Sequence, residues 1–276
     1  ILALVLLYLC FAPAFAVIAT ALHVPLTLML LGIVLRGSAF AFRSYGGSDE
    51  EQHRWGRVFA AASLLTPLTL GLCVGAIASG AIRAPGGRLQ SGFFESWLQP
   101  FPAATGLLAV ALFAFLAAVY LTHETADPEL QDDFRRRALA SGVVVGALAL
   151  GALAVARSRA PLLYEGLVGR PWSLPFHAAT AAVALGALGA LARRRYTWAR
   201  VLAIVQVVLV LWGWAGAQFP YLVVPDLTFR AAAAPPIVLR TALVALAAGA
   251  VVLVPSLAYL YRVFKLATPS KPPSKH

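Results

Sequence analysis

Charge is what this sequence has least of: only 12% of its 276 residues are Asp, Glu, Lys or Arg, and 61% are hydrophobic. Soluble domains carry roughly 25% charged residues, so a soluble enzyme is excluded. Methionine occurs once, at Met29, and cysteine twice, at Cys10 and Cys73, each inside an apolar run. Two isolated thiols give neither a zinc-site spacing nor a disulfide framework, and both read as small core residues. Histidine pairs are also missing. His53, His123 and His276 fall in loops or the tail, and His23 and His177 lie in different apolar runs. Haem iron takes His, Met or Cys as axial ligands. A four-helix dihaem protein would need histidines paired at helical spacing, so the chain reads as haem-free. Clusters of Asp, Glu and His at metal-ligand spacing are absent too, and no residue stands out as catalytic.

In place of charge stand long runs of Leu, Ala and Val. About 20 apolar residues in a helix cross a bilayer core of roughly 30 Å, and several such runs recur. They are continuous, whereas a membrane barrel needs short segments of alternating polarity. The fold class is therefore all-α integral membrane protein. About eight transmembrane helices are predicted, at roughly 1–12, 14–35, 57–81, 102–121, 138–156, 173–192, 199–219 and 237–260. The first is expected to be truncated: the chain starts Ile1-Leu2-Ala3, with no initiator methionine and no basic stretch of a signal peptide before Phe11. Pro13 parts the first two spans. From Thr268 to His276 the chain is Pro, Ser and Lys, and a disordered tail is expected.

The net charge of +11 is distributed by loop. Arg36, Arg43, Arg54, Arg57, Arg135 to Arg137, Arg193 to Arg195, Arg200, Arg262, Lys265, Lys271 and Lys275 make up one set, fifteen of the 22 basic residues. Arg83, Arg88, Arg157, Arg159, Arg170, Arg230 and Arg240 make up the other. The richer set marks the cytoplasmic side and includes the C-terminus. This reads as a topology signal, so no nucleic-acid partner is expected.

Few residues inside the spans stand out. His23 is predicted near mid-span, beside Pro25, whose missing N–H frees the Ala21 carbonyl. A neutral imidazole bonded to a neighbouring helix is the plainer reading, and a proton relay is the other. Arg36 and Arg43 flank the inner end of that span, facing lipid phosphate or a partner subunit. Asp127 and Pro128 predict an N-cap and first turn. Asp132 and Asp133 precede Arg136 and Arg137 by four, as helix-face pairs do. Gln206 lies inside a span. Trp212 and Trp214, near Gln218, read as an interfacial belt. Pro220, Pro225 and Asp226 predict a rigid turn at the membrane surface, with Asp226 as a cap or a binding group.

Several stretches together resemble subunit II of the cytochrome bd ubiquinol oxidases, nearest its cyanide-insensitive branch. They are Ala21 to Leu30 running on to Leu35 to Arg43, then His123-Glu124-Thr125 with Glu129-Leu130 and Arg135 to Arg137. Gln218 to Tyr221, Pro225 to Thr228, Ala231 to Pro236, Pro255 to Leu257 and Val263 to Lys265 follow in order. The resemblance implies nine helices in two four-helix bundles plus one peripheral helix. It implies a partner subunit I that holds haems b and d and handles quinol, in the bacterial plasma (inner) membrane. This chain would support that subunit and help form oxygen or proton access. It binds no haem directly on this reading, which leaves room for a structural quinone or membrane lipid. The family's first helix and its Trp-acid-x-Asn-x-Val-Trp motif have no counterpart here, so the acids placed there cannot be carried over. The chain is then one membrane domain, 1–276: 1–81 the rest of the first bundle, 102–219 the second, 237–260 the final helix and 268–276 the tail. His23, Pro25, Arg36, Arg43, Glu124, Gln218, Pro220 and Asp226 are the candidate structural or interface residues. Two alternatives are a secondary transporter, which tends to show matching helix breaks in two repeats, and a membrane assembly scaffold. Pro25 has no matching break in the later half.

Overall fold

A computed structural model describes residues 2–45 and 48–265; the expected tail at 268–276, with Lys271 and Lys275, lies outside the described residues. The described chain is almost wholly helical. Seven helices are long and apolar enough to cross a bilayer, and a bent pair near the N-terminus makes up to eight.

The contacts divide the chain into two units. The smaller holds α1 (Leu2–Cys10) and α11 (Pro236–Lys265). These two helices touch, and the Ala234 N–H donates to the Cys10 carbonyl at 2.8 Å. None of the apolar stretch of α11 is buried within the chain. In lipid an all-apolar exposed helix carries no penalty, because acyl tails are as apolar as Leu.

The larger unit, from Pro13, begins within α2 (Ala12–Ala21) and continues with α3 (His23–Tyr45). Helical hydrogen bonds continue through their junction: Leu22 donates to Ile18 and Leu26 to Leu22, both at 2.9 Å. The predicted span at 14–35 thus lies in a continuous helical run, within which the candidate span by length and composition is His23–Tyr45. The run continues ten residues past Leu35, because Gly37-Ser38-Ala39-Phe40-Ala41-Phe42 keeps helical geometry. After α3 come α4 (Asp49–Ser79), α5 (Pro100–Glu124) and α6 (Pro128–Arg159). The short α7 (Pro161–Val168) leads to α8 (Ser173–Ala192) and α9 (Tyr196–Gln218). A two-stranded antiparallel hairpin, β1 (Tyr221–Val223) and β2 (Leu227–Thr228), is followed by the single turn α10 (Phe229–Ala232).

Small residues bring α3, α4 and α5 close. A Cβ on Gly32 would meet the Thr66 hydroxyl, and one on Gly71 would lie 2.5 Å from the Thr105 carbonyl oxygen. Thr105 in turn donates to the Gly71 carbonyl at 2.8 Å. Close backbone approach of this kind drives helix association in lipid, where the hydrophobic effect gives no help. A second core joins α5, α6, α8 and α9 through Leu112, Phe115, Val119, Val145 and Leu191, lined by alanines.

Two helix starts are capped by side chains. The Asp127 carboxylate accepts from the Glu129 N–H at 2.9 Å, with Pro128 in the first turn, as predicted. The Ser48 hydroxyl accepts from Glu51 at the start of α4. Gly80, with φ of +81°, closes α4 in the left-handed conformation that glycine adopts without strain.

Candidate functional site

Alternate connections gather at two ends of the larger unit. At the Arg-rich end lie the starts and ends of helices around 45–49, 124–128 and 192–196. Asp132 holds Arg135 at 2.9 Å, Arg136 at 3.5 Å and Arg194 at 3.1 Å, and Asp133 holds Arg137 at 2.9 Å. The two pairs expected at a spacing of four are present. Arg135 and Arg194 extend them, and Arg194 ties α6 to the α8–α9 turn. Glu124 lies 3.5 Å from Arg200, whose guanidinium sits over the Tyr120 ring at 4.7 Å. Arg36 and Arg43 project from the exposed side of α3 with no carboxylate partner among the described residues. Arg36 is more than two turns inside the helix, not at its end.

The Arg-poor end is more closely knit. Arg83, just after α4, donates through Nε to Asp226 Oδ2 at 3.1 Å and through Nη2 to Oδ1 at 3.3 Å. The Ala84 N–H donates to the same Oδ2 at 2.7 Å. The Arg83 hydrogen bond holds the Asp226 carboxyl below the ordinary carboxylate range. Burial opposes this shift, and the Ala84 amide adds to it. Asp226 is thus a clasp between two connections 143 residues apart; it caps no helix.

The hairpin beside it is anchored at several points. The Val224 N–H donates to the Ile77 carbonyl at 3.2 Å, and Phe229 to the Pro220 carbonyl at 3.0 Å. The peptide bonds before Pro220 and Pro225 are cis. Gln218 is buried, and its Nε2 donates to the Leu222 carbonyl at 3.0 Å and weakly to that of Tyr221. Arg170 caps the end of α9, donating to the carbonyls of Gly216 at 2.9 Å and Phe219 at 2.7 Å. Gln218, Pro220 and Asp226 therefore come together, with Arg83 and Arg170 as members that sequence reasoning counted only as loop charges. No local signal marked Arg83.

His23 is the first residue of α3 and touches the connections of this end. Its Nδ1 donates to the Thr20 carbonyl at 2.9 Å, and its ring meets Phe93 edge-on at 4.9 Å. Phe93 comes from the connection between α4 and α5. The expected bond to a neighbouring helix is replaced by one within its own segment, and Thr20 takes the role expected of Ala21. Pro25 is buried one turn further on.

No cluster of three His, Cys, Asp or Glu side chains able to hold a metal occurs among the described residues. His23, His53, His123 and His177 sit on four different helices, all in exposed positions, and none lines either principal cleft. A cleft of about 450 Å³ opens at the Arg-poor end between α7, the end of α9 and the hairpin.

The profile of the family described as cytochrome bd terminal oxidase subunit II matches residues 1–264. Eight chains of solved structures are similar. One, from the structure of bd oxidase from Geobacillus thermodenitrificans, superposes with a TM-score of 0.65 at 21% identity, covering 89% of this chain and 74% of that chain. No curated protein matches.

Proposed function

The chain belongs to the cytochrome bd terminal oxidase subunit II family, and from that premise we propose that it is the haem-free subunit of a quinol:oxygen oxidoreductase. The family match over nearly the whole chain carries this reading. On it, a partner subunit I holds haems b and d, takes electrons from quinol and reduces oxygen. This chain packs against that subunit and supports it. The sequence supports the division, since its histidines are not paired at helical spacing as a four-helix dihaem protein needs. Residues 1–81 then contribute to one helix bundle and 102–219 to a second.

On the same reading the complex sits in the bacterial plasma membrane with the C-terminus cytoplasmic. His23, Pro25 and the α3 face bearing Arg36 and Arg43 are proposed as structural or interface positions, with Glu124, Gln218, Pro220 and Asp226 as internal supports. Arginine suits a partner carboxylate or a lipid phosphate, because its planar fork bonds both bidentately. A bound quinone or lipid fits within this scheme.

The test is the optical spectrum of what co-purifies with the tagged gene product. Haem bands in stoichiometric amount, traced to a second polypeptide, are expected. The chain purified alone should show no Soret band; a stoichiometric one would overturn the assignment.

A further inference from the structure

We propose that the turn at 92–98, in the connection between α4 and α5, inserts Phe94 and Leu98 into the bilayer surface at the Arg-poor end, so that this face meets membrane lipid and not a protein. The inference needs only that the chain spans a membrane, and it is independent of the oxidase role assigned above. Gly92-Phe93-Phe94-Glu95-Ser96-Trp97-Leu98 divides its side chains into two sets. Ser96 and Trp97 are buried, whereas Phe93, Phe94 and Leu98 are each more than half exposed. Phe94 and Leu98 lie four apart, and the Leu98 N–H donates to the Phe94 carbonyl at 3.0 Å, so one helical turn sets both on one side. Two ring contacts brace this ridge. Phe93 meets His23 of α3 edge-on at 4.9 Å, and Phe94 leans on Trp97 at 5.8 Å.

The carbonyls of the turn decide what covers the ridge. All four from Gly92 to Glu95 are occupied locally. That of Gly92 accepts from Ser96 Oγ at 3.3 Å, and that of Phe93 from Trp97 Nε1 at 2.7 Å. That of Phe94 accepts from the Leu98 amide, and that of Glu95 from Gln99 Nε2 at 2.7 Å. The Glu95 carboxylate also turns back, accepting from the Gly92 N–H at 3.3 Å. A turn facing water needs no such closure, because water satisfies its backbone. A docked protein would draw on free acceptors, at about one hydrogen bond per 100–200 Å² of interface. Acyl chains neither donate nor accept, so a carbonyl that meets them has to be paired within the chain.

Position agrees with this chemistry. Leu98 stands two residues before Pro100, the first residue of the spanning helix α5. Two residues reach at most about 7 Å, so the ridge lies where α5 enters the bilayer core.

The test uses the full-length chain in its native membrane complex, with the photoreactive residue p-benzoylphenylalanine incorporated in place of Phe94, of Leu98 or, as an aqueous control, of exposed Gln90. Phe94 and Leu98 project outward, so the larger ring is accommodated. Membranes are illuminated, the chain is purified, and mass spectrometry reads what each position has joined. The Phe94 and Leu98 positions should each give a phospholipid adduct, and the Gln90 position none. A cross-link from Phe94 or Leu98 to a second polypeptide would overturn the proposal. So would a lipid adduct missing from either position, or equal lipid adducts at all three. Haem content is read before illumination, so failure of the lipid contact and failure of the oxidase assignment are distinguishable.

Discussion

Asp226 receives three hydrogen bonds from two neighbouring residues, and most of their strength comes from one side of the pair. Its side chain is 12% exposed, whereas that of Arg83 is 57% exposed, so solvent screens the guanidinium and discounts its contribution. The Ala84 N–H, at 2.7 Å, is the better-sheltered donor. Asp226→Asn replaces one acceptor oxygen with an NH2 group that must face a donor. It should weaken the larger unit by about 1–2 kcal/mol, the usual cost of losing a bond to a charged group, read as a lower thermal midpoint at pH 7. The pH dependence follows from the depressed carboxyl. Such a group stabilises the fold above its unfolded pKa, about 3.9, and the contribution is lost as pH falls through the folded value. The difference between wild type and Asp226→Asn should therefore persist at neutral pH and shrink below about pH 4. A constant difference down to the acid limit would refute the clasp. The sequence made Asp226 conspicuous, as an acid in an apolar loop, but not its partner: the pairing is non-local and leaves no periodic trace. His23 shows the same limit from the other side. Its neighbour Pro25 was legible, yet its depth depended on where the spanning helix begins, and hydropathy alone does not fix that boundary.

Helices of this protein were legible where an end carries its own chemistry. Asp127-Pro128 announced the start of α6, and the observed cap has the expected form. The helix α7 and the hairpin were not legible, because eight residues and five residues are too short to produce a period. What positions them is tertiary: Gly166 packs against the backbone of Ala217, where no Cβ fits. The contact between α4 and α5 gives a prediction at this scale. A Cβ on Gly71 would lie 2.5 Å from the Thr105 carbonyl oxygen and 2.7 Å from Gly106 Cα, both backbone atoms that cannot swing away. Gly71→Ala should push the helices apart and cost about 1–3 kcal/mol, as overpacking does. Gly146 on α6 has nothing within 4 Å of its ideal Cβ, so Gly146→Ala should be neutral or slightly stabilising, by up to about 1 kcal/mol of helix propensity. Thermal unfolding of both variants in one detergent is the measurement. Equal midpoints would show that close approach at Gly71 does not hold the pair together.

For the larger unit as a whole, the alternation of basic residues and the folding of its connections say the same thing by independent routes. The ion pairs Arg194–Asp132 and Arg200–Glu124 join three helix ends on one side, while Arg83–Asp226 and Arg170 join the connections on the other. The sequence placed Arg43, Arg54, Arg135 to Arg137 and Arg193 to Arg195 on the first side and Arg83, Arg88, Arg157, Arg159 and Arg170 on the second. An excess of Lys and Arg in short connections faces the cytoplasm, because moving them across the membrane during insertion is disfavoured. The Arg-rich end should therefore be inside. Glu50 and Gln90 are exposed at opposite ends, and the two native cysteines are buried and poorly placed to react. In intact cells an impermeant thiol reagent should label Gln90→Cys and leave Glu50→Cys unlabelled until the membrane is opened. Labelling of Glu50→Cys in intact cells, with Gln90→Cys protected, would invert the topology. It would also move the cleft at Gln218 and the Asp226 clasp to the cytoplasmic face.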